Sequence, residues 1–171
     1  MVDHLIDAPP GVALRPATPT DRDFLVALFR TTREDELSIT GWDEAAKAAF
    51  VELQFAAQDQ SYRLAYPAGR FDVVERDGRR IGRLSTVRLA DEIRIVDIVL
   101  LPDERGAGIG TALIDAVLAE AGSLGLAVRL HVEPWNPARR LYERLGFVGV
   151  EQRGFHELME RPAAGQLKTA S

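Results

Sequence analysis

Three glycines within five residues form the part of this sequence best suited to binding an anionic ligand. Gly106, Gly108 and Gly110 follow an apolar, strand-like run and precede a segment with helical periodicity. Glycine lets backbone N–H groups converge on a ligand because it has no Cβ, and the start of a helix adds unpaired amides and a positive dipole end. Arg105 could add a charge-assisted contact. This turn therefore predicts a site for a diphosphate.

Three other interpretations of the glycine turn compete with this one. A Rossmann turn would have glycine in place of Thr111, would lie near the start of the chain, and would be followed by an acidic residue after the next strand; none of these holds. A P-loop requires Gly-Lys-Ser/Thr, and the segment has no lysine. The third interpretation is a tight strand-to-helix turn that binds nothing. The glycines alone do not decide between this last interpretation and a ligand site.

A second segment with chemical potential runs from Asn136 to Gly146. Asn136 followed by Pro137 is typical of a helix start, and Gly146 of a helix end. Tyr142 lies inside this helix. A phenol with a pKa of about 10 stays protonated near neutrality, so it could donate a proton or a hydrogen bond. The alternative is an aromatic side chain that only packs against the neighbouring apolar stripe.

Together the two segments resemble the signature of the GNAT acetyltransferase superfamily. The first carries Arg-x-x-Gly-x-Gly at 105–110, after an apolar strand that ends in proline. The second carries the family's order of Asn136, Ala138, Tyr142 and Gly146-Phe147. The likeness is strongest over residues 93–147, and the order of predicted elements extends it across about 12–160.

Hydrophobic periodicity and turn signals predict the elements that must position these residues. In chain order they are a strand at 12–15, helices at 20–32 and 43–60, strands at 71–75, 81–87 and 93–101, a helix at 110–124, a strand at 127–132, a helix from Pro137 that ends at Gly146, and strands at 147–151 and 155–159. Thr20 is expected to cap the first helix. The second helix is expected to present one apolar face, made of Ala46, Phe50, Leu53 and Ala57.

The predicted fold class is α/β: one mixed central sheet of about six to seven strands flanked by about four helices, GNAT-like, with splayed parallel strands at 93–101 and 127–132. The acetyltransferase domain is expected to span 12–161, with flexible termini at 1–11 and 162–171. In the family, the gap between the splayed strands receives the thioester. The resemblance therefore implies that the two parallel strands frame the reaction centre.

The resemblance also implies a cofactor, acetyl-CoA as cosubstrate, and the residues that bind it. The pantetheine arm would pair with the backbone of Ile98, Val99 and Leu100. The diphosphate would be held by the turn made of Arg105, Gly106, Ala107, Gly108, Ile109, Gly110 and Thr111. Asn136 matches a family asparagine that contacts the cofactor, and its role as a helix cap is compatible with that. Tyr142 matches the proposed general acid.

The implied reaction is transfer of an acetyl group to a primary amine by direct attack in a ternary complex. An alkylammonium with a pKa of about 10.4 costs roughly 4–5 kcal/mol to deprotonate at pH 7, so a proton acceptor is useful. Relatives place a glutamate on the central strand, where this sequence has Arg94. The nearby candidates are Glu92, Asp97, His131 and Glu133, and a water chain with no single base is the default.

Asp97 is singled out as a catalytic candidate because it interrupts an apolar strand, where an unpaired carboxylate would be costly. The alternative is a carboxylate paired to Arg94 or Arg88. For His131, a histidine satisfied within the core is the simpler expectation. Two different classes of function also compete with the enzyme: a non-catalytic acyl-CoA-binding sensor or regulatory domain, and, less well supported, a nucleotide-binding regulatory domain.

The composition and charge of the chain exclude some classes of partner and cofactor. The chain of 171 residues has a formal net charge of -5, which argues against a nucleic-acid partner. It has no cysteine and three histidines without a spaced pair, so no metal is expected. No apolar run is long enough to span a membrane and no basic leader opens the sequence, so a cytoplasmic location is expected. Because members of the family often form dimers, a homodimer is a further expectation.

The acceptor is expected to be a small-molecule amine or a protein amine. In the family the first two helices and their loop help to shape the acceptor pocket. Here that loop carries the acidic run Glu34-Asp35-Glu36 and Trp42, and the second helix offers Gln54, Gln58 and Tyr62. Acidic groups could steer a cationic amine toward the site, and a solvated acidic turn is the simpler interpretation.

Overall fold

The computed structural model describes residues 6–165, over which the chain forms seven strands and five α-helices. In chain order these are β1 Ala13–Pro16, α1 Arg22–Thr31, α2 Glu34–Ser38, α3 Glu44–Ala65, β2 Arg70–Arg76, β3 Arg79–Arg88, β4 Glu92–Leu100, α4 Ile109–Leu124, β5 Ala127–Val132, α5 Ala138–Arg144, β6 Val148–Arg153 and β7 His156–Arg161. Short 3₁₀ turns at Pro19–Asp21 and Pro102–Glu104 precede α1 and follow β4. The predicted α/β class is confirmed.

All seven strands belong to one sheet, in the order β1-β2-β3-β4-β5-β7-β6. Every pair is antiparallel except β4 and β5, which run parallel because α4 connects them. Their pairing runs only from Glu92 opposite Ala127 to Ile95 opposite Leu130. Beyond that point β4 stays with β3 and β5 stays with β7. The predicted splay between these strands is therefore present.

A β-bulge lies where the two strands separate. In the β3–β4 ladder Ser85 faces Asp97 and Thr86 faces Ile95, so Val96 is an extra residue on β4. A bulge bends its strand and increases the local twist. Here it turns the end of β4 away from β5, and it also resets which side of the sheet each later β4 residue faces.

The sheet has two covered faces, called here the α4 face and the α3 face. The α4 face packs Ile93, Ile95 and Leu100 of β4 against Leu113 and other apolar residues of α4, and it also carries α5. On the α3 face a separate core surrounds Val73, where α1, α2 and α3 meet the strands. Each of the two cores is built from fully buried apolar side chains. At the gap between β4 and β5, groups on one face of the sheet can reach groups on the other.

The first two helices differ from expectation. Thr20 does not cap α1, because it lies within the 3₁₀ turn, where the backbone N–H of Thr18 donates to the Asp21 carboxylate at 2.8 Å. That carboxylate is buried and also bonds Arg15 at 2.8 Å, which explains why the helix entry is arranged around it. The five-residue α2 was not predicted, which makes five helices rather than about four.

The apolar face predicted for α3 is wrong. Leu53 is 68% exposed, whereas Val51 and Phe55 are 2% and 4% exposed and pack on the sheet. Alanines on several sides of this helix give no clear apolar stripe, so the few large side chains decide which side is buried. The buried side continues along the helix to Gln58 and Tyr62, at helical spacing.

The structure describes part of each segment that was predicted to be a flexible terminus, namely residues 6–11 and 162–165. Ile6 and Ala163, which lie within those segments, are buried, and Ile6 packs in the core of the α4 face. Residues 1–5 and 166–171 lie outside the described residues. The domain limits of 12–161 stay a prediction.

Candidate functional site

The glycine turn before α4 presents a row of free backbone donors. Gly106 and Gly108 have φ values of 76° and 84°, the left-handed region that other residues adopt only with strain. Across the part of the chain that the structure describes, the amides from Gly106 to Thr111, including Ala107, Ile109 and Gly110, have no hydrogen-bond acceptor. They lie at an exposed turn and at the positive end of a 16-residue helix. The arrangement is suited to binding a diphosphate.

Arg105 takes a position behind this turn. Its Nε donates to the Leu100 carbonyl oxygen at 3.0 Å, and its Nη2 lies 3.4 Å from the Thr31 hydroxyl. The guanidinium therefore ties the turn to the end of β4 and to α1. A direct contact between Arg105 and a diphosphate stays a prediction.

The edge of β4 beyond the bulge offers backbone groups to the gap. The N–H of Leu101 donates to Ile81 of β3 at 2.8 Å, and successive residues of a strand point alternately to either side. The backbone groups of Val99 therefore point to β3, and those of Ile98 and Leu100 to the gap. The Leu100 carbonyl is already bonded to Arg105. Of the three residues predicted to pair with pantetheine, Ile98 is thus the one whose N–H and C=O are both available.

Close packing at the Val99 carbonyl confirms its direction. A Cβ added at Gly82 of β3 would clash with that oxygen, so the approach of β3 to β4 at this point requires glycine. β3 therefore fixes β4 on one side and leaves its other side free.

Tyr142 lies on the α4 face, in α5. Its side chain is 7% exposed, and its ring packs on Phe147 with centroids 5.8 Å apart. The hydroxyl has no hydrogen-bond partner among residues 6–165, yet it is not one of the buried atoms cut off from solvent. It therefore opens into accessible space. Burial, and secondly the Asp97 carboxylate, raises the pKa of Tyr142 to about 12.

Asp97 lies on the opposite, α3 face of the sheet. Its carboxylate accepts from Arg83 Nε at 2.5 Å, and Arg83 Nη2 donates to the Gln58 side chain at 2.7 Å. The partner is therefore Arg83 rather than the predicted Arg94 or Arg88. The Asp97 side chain keeps 18% of its surface exposed. Asp97 is the charge that, after burial, raises the pKa of Tyr142, so the carboxylate and the phenol are close enough to interact although they belong to opposite faces.

Two of the acidic residues predicted near the site, Glu92 and Glu133, have different surroundings. Glu92 is 2% exposed and lies between Arg94 and Arg129, at 2.6 and 2.5 Å. Glu133 lies 3.6 Å from His156. The fixed ion pairs therefore leave Glu92 without a free carboxylate at the gap.

The expectation that His131 is a core histidine is wrong. The strand alternation puts Leu130 and Val132 inside and turns His131 outward on the α3 face, where it is exposed. Partial burial, followed by the cationic neighbours Arg94 and Arg153, lowers the pKa of the imidazole. The sequence does contain a signal for this orientation, because Arg129 and His131 alternate with the apolar Val128, Leu130 and Val132.

The acidic segment that forms α2 is largely neutralised. Glu34 bonds Arg30 at 3.2 Å and Glu36 bonds Arg33 at 3.0 Å, while Trp42 packs edge-on against Phe50. The predicted pocket-lining residues of α3 separate: Gln54 is exposed, whereas Gln58 reaches Arg83 and Tyr62 faces Asp97. Burial, and secondly Asp97, raises the pKa of Tyr62 to about 12.

Asn136 is confirmed as a capping residue. Its Oδ1 accepts from the Ala138 N–H at 2.9 Å at the start of α5, the helix that carries Tyr142. The side-chain NH₂ has no partner in residues 6–165 and is exposed. Contact with a cofactor stays a prediction for this residue.

Comparisons with known proteins agree with this geometry. A family model described as the acetyltransferase (GNAT) family matches residues 31–147, a range that contains both motifs, the gap and Tyr142. The sequence is 36% identical over 107 residues to the mycothiol acetyltransferase of Nocardiopsis dassonvillei. That match covers 61% of this chain and 32% of the relative, so the chain spans about a third of the relative's length.

Solved structures share the fold. The PaiA N-acetyltransferase of Thermoplasma acidophilum, crystallised with coenzyme A, superposes with a TM-score of 0.66 and 18% identity over 88% of this chain and 98% of that one. An acetyltransferase from Thermus thermophilus gives 0.64 and 20%, over 91% and 99%. Over the described part of the chain no helix is long and apolar enough to cross a membrane.

Proposed function

The chain belongs to the GNAT acetyltransferase family, and from that premise we propose that it transfers an acetyl group from acetyl-CoA to a primary amine. The observation that carries the proposal is the gap between β4 and β5. Free turn amides and a phenol lie on one side of it, and a carboxylate on the other. The cofactor on one face of the sheet and the amine on the other would meet at this gap.

The cofactor is proposed to bind along the α4 face. The amides of 106–111 would hold the diphosphate, and the backbone of Ile98 would pair with the pantetheine arm like an added strand. This places the thioester at the gap, where β5 has separated from β4. A structural neighbour crystallised with coenzyme A supports the choice of cofactor.

The amine is proposed to arrive from the α3 face. Asp97 lies there with exposed surface, and its orientation is fixed by Arg83, which is itself braced by Gln58. A carboxylate held in this way can attract and orient an ammonium group. The ammonium loses one proton to solvent, and the free amine then attacks the thioester carbon. The C–N bond forms, the nitrogen gives up its second proton, and the C–S bond breaks with its electron pair leaving on sulfur.

Tyr142 would assist the departure of the sulfur. With its pKa raised to about 12 the phenol is fully protonated near neutrality. A simple thiol has a pKa of about 8.5, so complete transfer from phenol to thiolate is uphill by roughly 5 kcal/mol. Tyr142 therefore acts mainly by donating a hydrogen bond to the charge that develops on sulfur, and the thiolate takes its final proton from solvent.

A non-catalytic acyl-CoA sensor is the alternative from a different class of function. Such a protein needs the turn and the β4 edge but has no use for a phenol whose hydroxyl is accessible and unbonded. The accessible, unbonded hydroxyl of Tyr142 favours the enzyme.

Thiol release from acetyl-CoA tests the proposal. The assay uses a panel with a polyamine, an aminoglycoside, free amino acids, a peptide with a free N-terminus and, because of the relative's name, a mycothiol-related amine. Amine-dependent release by the protein is expected with at least one member. Thermal stabilisation by acetyl-CoA but not by ATP or NAD, without release for any amine, would favour the sensor instead.

A further inference from the structure

The α3 face carries a second titratable group at the gap. Leu130 is the last β5 residue paired with β4, so His131 is the first residue of β5 beyond the point of separation. Arg94 faces Arg129 across the parallel ladder, and alternation along β5 puts His131 on the same face as those two residues. Asp97 lies on that face as well, because Val96 is bulged out between it and Ile95.

We propose that His131 is the proton acceptor for the attacking amine, a catalytic role that rests on the proposed acetyl transfer. His131 and Asp97 flank the gap from β5 and β4, on the face from which the amine arrives. Asp97 would orient the nitrogen, and His131 would take its proton. The two roles fall to different side chains because Asp97 is already committed to Arg83.

The other candidate bases are less available. Glu92 is buried between two arginines, and Glu133 lies 3.6 Å from His156 of β7, the strand on the side of β5 opposite to β4. The His131 imidazole is exposed and has no hydrogen-bond partner in the described part of the chain, so either ring nitrogen can accept a proton.

The charged surroundings of His131 keep it neutral near physiological pH. It faces Arg94 and Glu92 from β4, Arg153 and Glu151 from β6, and His156 from β7. Partial burial and the cationic groups outweigh Glu92, and the pKa of the imidazole is lowered from its ordinary value. A neutral imidazole is the form that can accept a proton.

Each proton and electron pair in the transfer has a destination. The bound ammonium first loses one proton to solvent. The lone pair of the free amine then forms the bond to the thioester carbon, the C=O π pair moves onto oxygen to give a tetrahedral intermediate, and the nitrogen becomes positively charged. Its proton is then far more acidic than that of a free alkylammonium, so an imidazole of lowered pKa can take it. The intermediate collapses, the C–S electron pair leaves on sulfur beside Tyr142, and the imidazolium returns its proton to solvent.

The test compares His131→Gln with His156→Gln, using the panel amine that gives the fastest thiol release at saturating concentration. For His131→Gln, kcat at slightly alkaline pH is expected to fall about 100-fold or more, with unchanged affinity for acetyl-CoA. Wild-type kcat should decline in acid with an apparent pKa below about 6.5, and this decline should be absent in the variant. His156→Gln should keep wild-type kcat.

A third variant keeps the inference testable if His131→Gln is poorly folded. Arg153→Gln removes a cation that faces the imidazole, so the acid limb of the kcat profile should move to higher pH, and so should the imidazole pKa measured by NMR. A His131→Gln enzyme with kcat within about 3-fold of wild type and an unmoved acid limb would overturn the inference while leaving the acetyltransferase proposal intact. Absence of thiol release by the wild type would instead overturn the proposed function.

Discussion

The two faces of the sheet solve different recognition problems with different parts of the chain. On the α4 face the contacts proposed for the cofactor are backbone groups: the free amides of 106–111 and the N–H and C=O of Ile98. On the α3 face the polar groups at the gap are side chains held by one another, with Asp97 on Arg83 and Arg83 on Gln58.

This difference explains what each face can specify. Backbone amides are independent of side-chain identity, so a face that uses them needs only glycines and a helix start in the right places. A face built from ion pairs can be altered by single substitutions while the fold remains. We therefore expect the cofactor to be common to the family and the acceptor to be set by the α3 face.

The largest effect concerns how α3 sits on its face. Phe55→Ala should lower the free energy of unfolding by about 3–4 kcal/mol, because it empties a buried site that packs on Phe29. Leu53→Ala, on the exposed side of the same helix, should change it by less than about 0.5 kcal/mol. Chemical denaturation measures both. If Leu53→Ala were instead the more destabilising change, α3 would bury the side predicted from its sequence, and Gln58 and Tyr62 would not face the gap.

Tyr142→Phe should lower kcat about 100-fold because it removes the hydrogen-bond donor to sulfur and keeps the packing on Phe147. Acetyl-CoA affinity, measured by calorimetry, should stay the same. Tyr62→Phe on the α3 face is the matched control and should leave kcat within a few-fold of wild type. Full turnover in the Tyr142 variant would leave the α4 face as a binding surface only.

Gly108→Ala should weaken acetyl-CoA binding about 5- to 30-fold, since a left-handed residue with a Cβ costs roughly 1–2 kcal/mol. Nothing lies within 4 Å of the added atom, so backbone strain is the whole effect. Gly122→Ala, also in open space but inside α4, should bind normally and be slightly more stable. Equal affinity in the two variants would contradict the role of the turn.

Asp97→Asn should raise KM for a cationic amine about 5- to 10-fold with little change in acetyl-CoA affinity. Arg83, left without its partner, would repel the cationic amine and so raise KM further. The KM of wild type should also rise with salt, and that of the variant should depend on salt less. Asp59→Asn, which removes a surface partner of Arg63, is the control and should not change KM. An unchanged KM in the Asp97 variant would place the amine elsewhere.

The α4 face could be predicted from the sequence because its determinants are local. The glycine turn, the helix that follows it and the capping by Asn136 each depend on residues close together in the chain, and the structure contains all three. Even there, the position of Arg105 escaped prediction, since its partners Leu100 and Thr31 are set by tertiary packing.

The α3 face could not be predicted to the same depth, for a physical reason. Which side of α3 is buried follows from how two large side chains fit the sheet, and the partner of Asp97 follows from the β3–β4 register. Both are long-range contacts that hydrophobic periodicity does not encode. The exposure of His131 differs from them, since the alternation of apolar and polar residues along β5 indicates it.

The surplus residue Val96 has a consequence for how this domain tolerates change in length. Val96 has no partner in the β3–β4 ladder, so removing it would leave Asp97 directly after Ile95, with every later side chain on its present face. Without the bulge, the straightened strand could extend its parallel pairing with β5 beyond Ile95 and Leu130. Deletion of this one residue would thus keep the side-chain pattern of β4 and still close the gap at which the two substrates are proposed to meet.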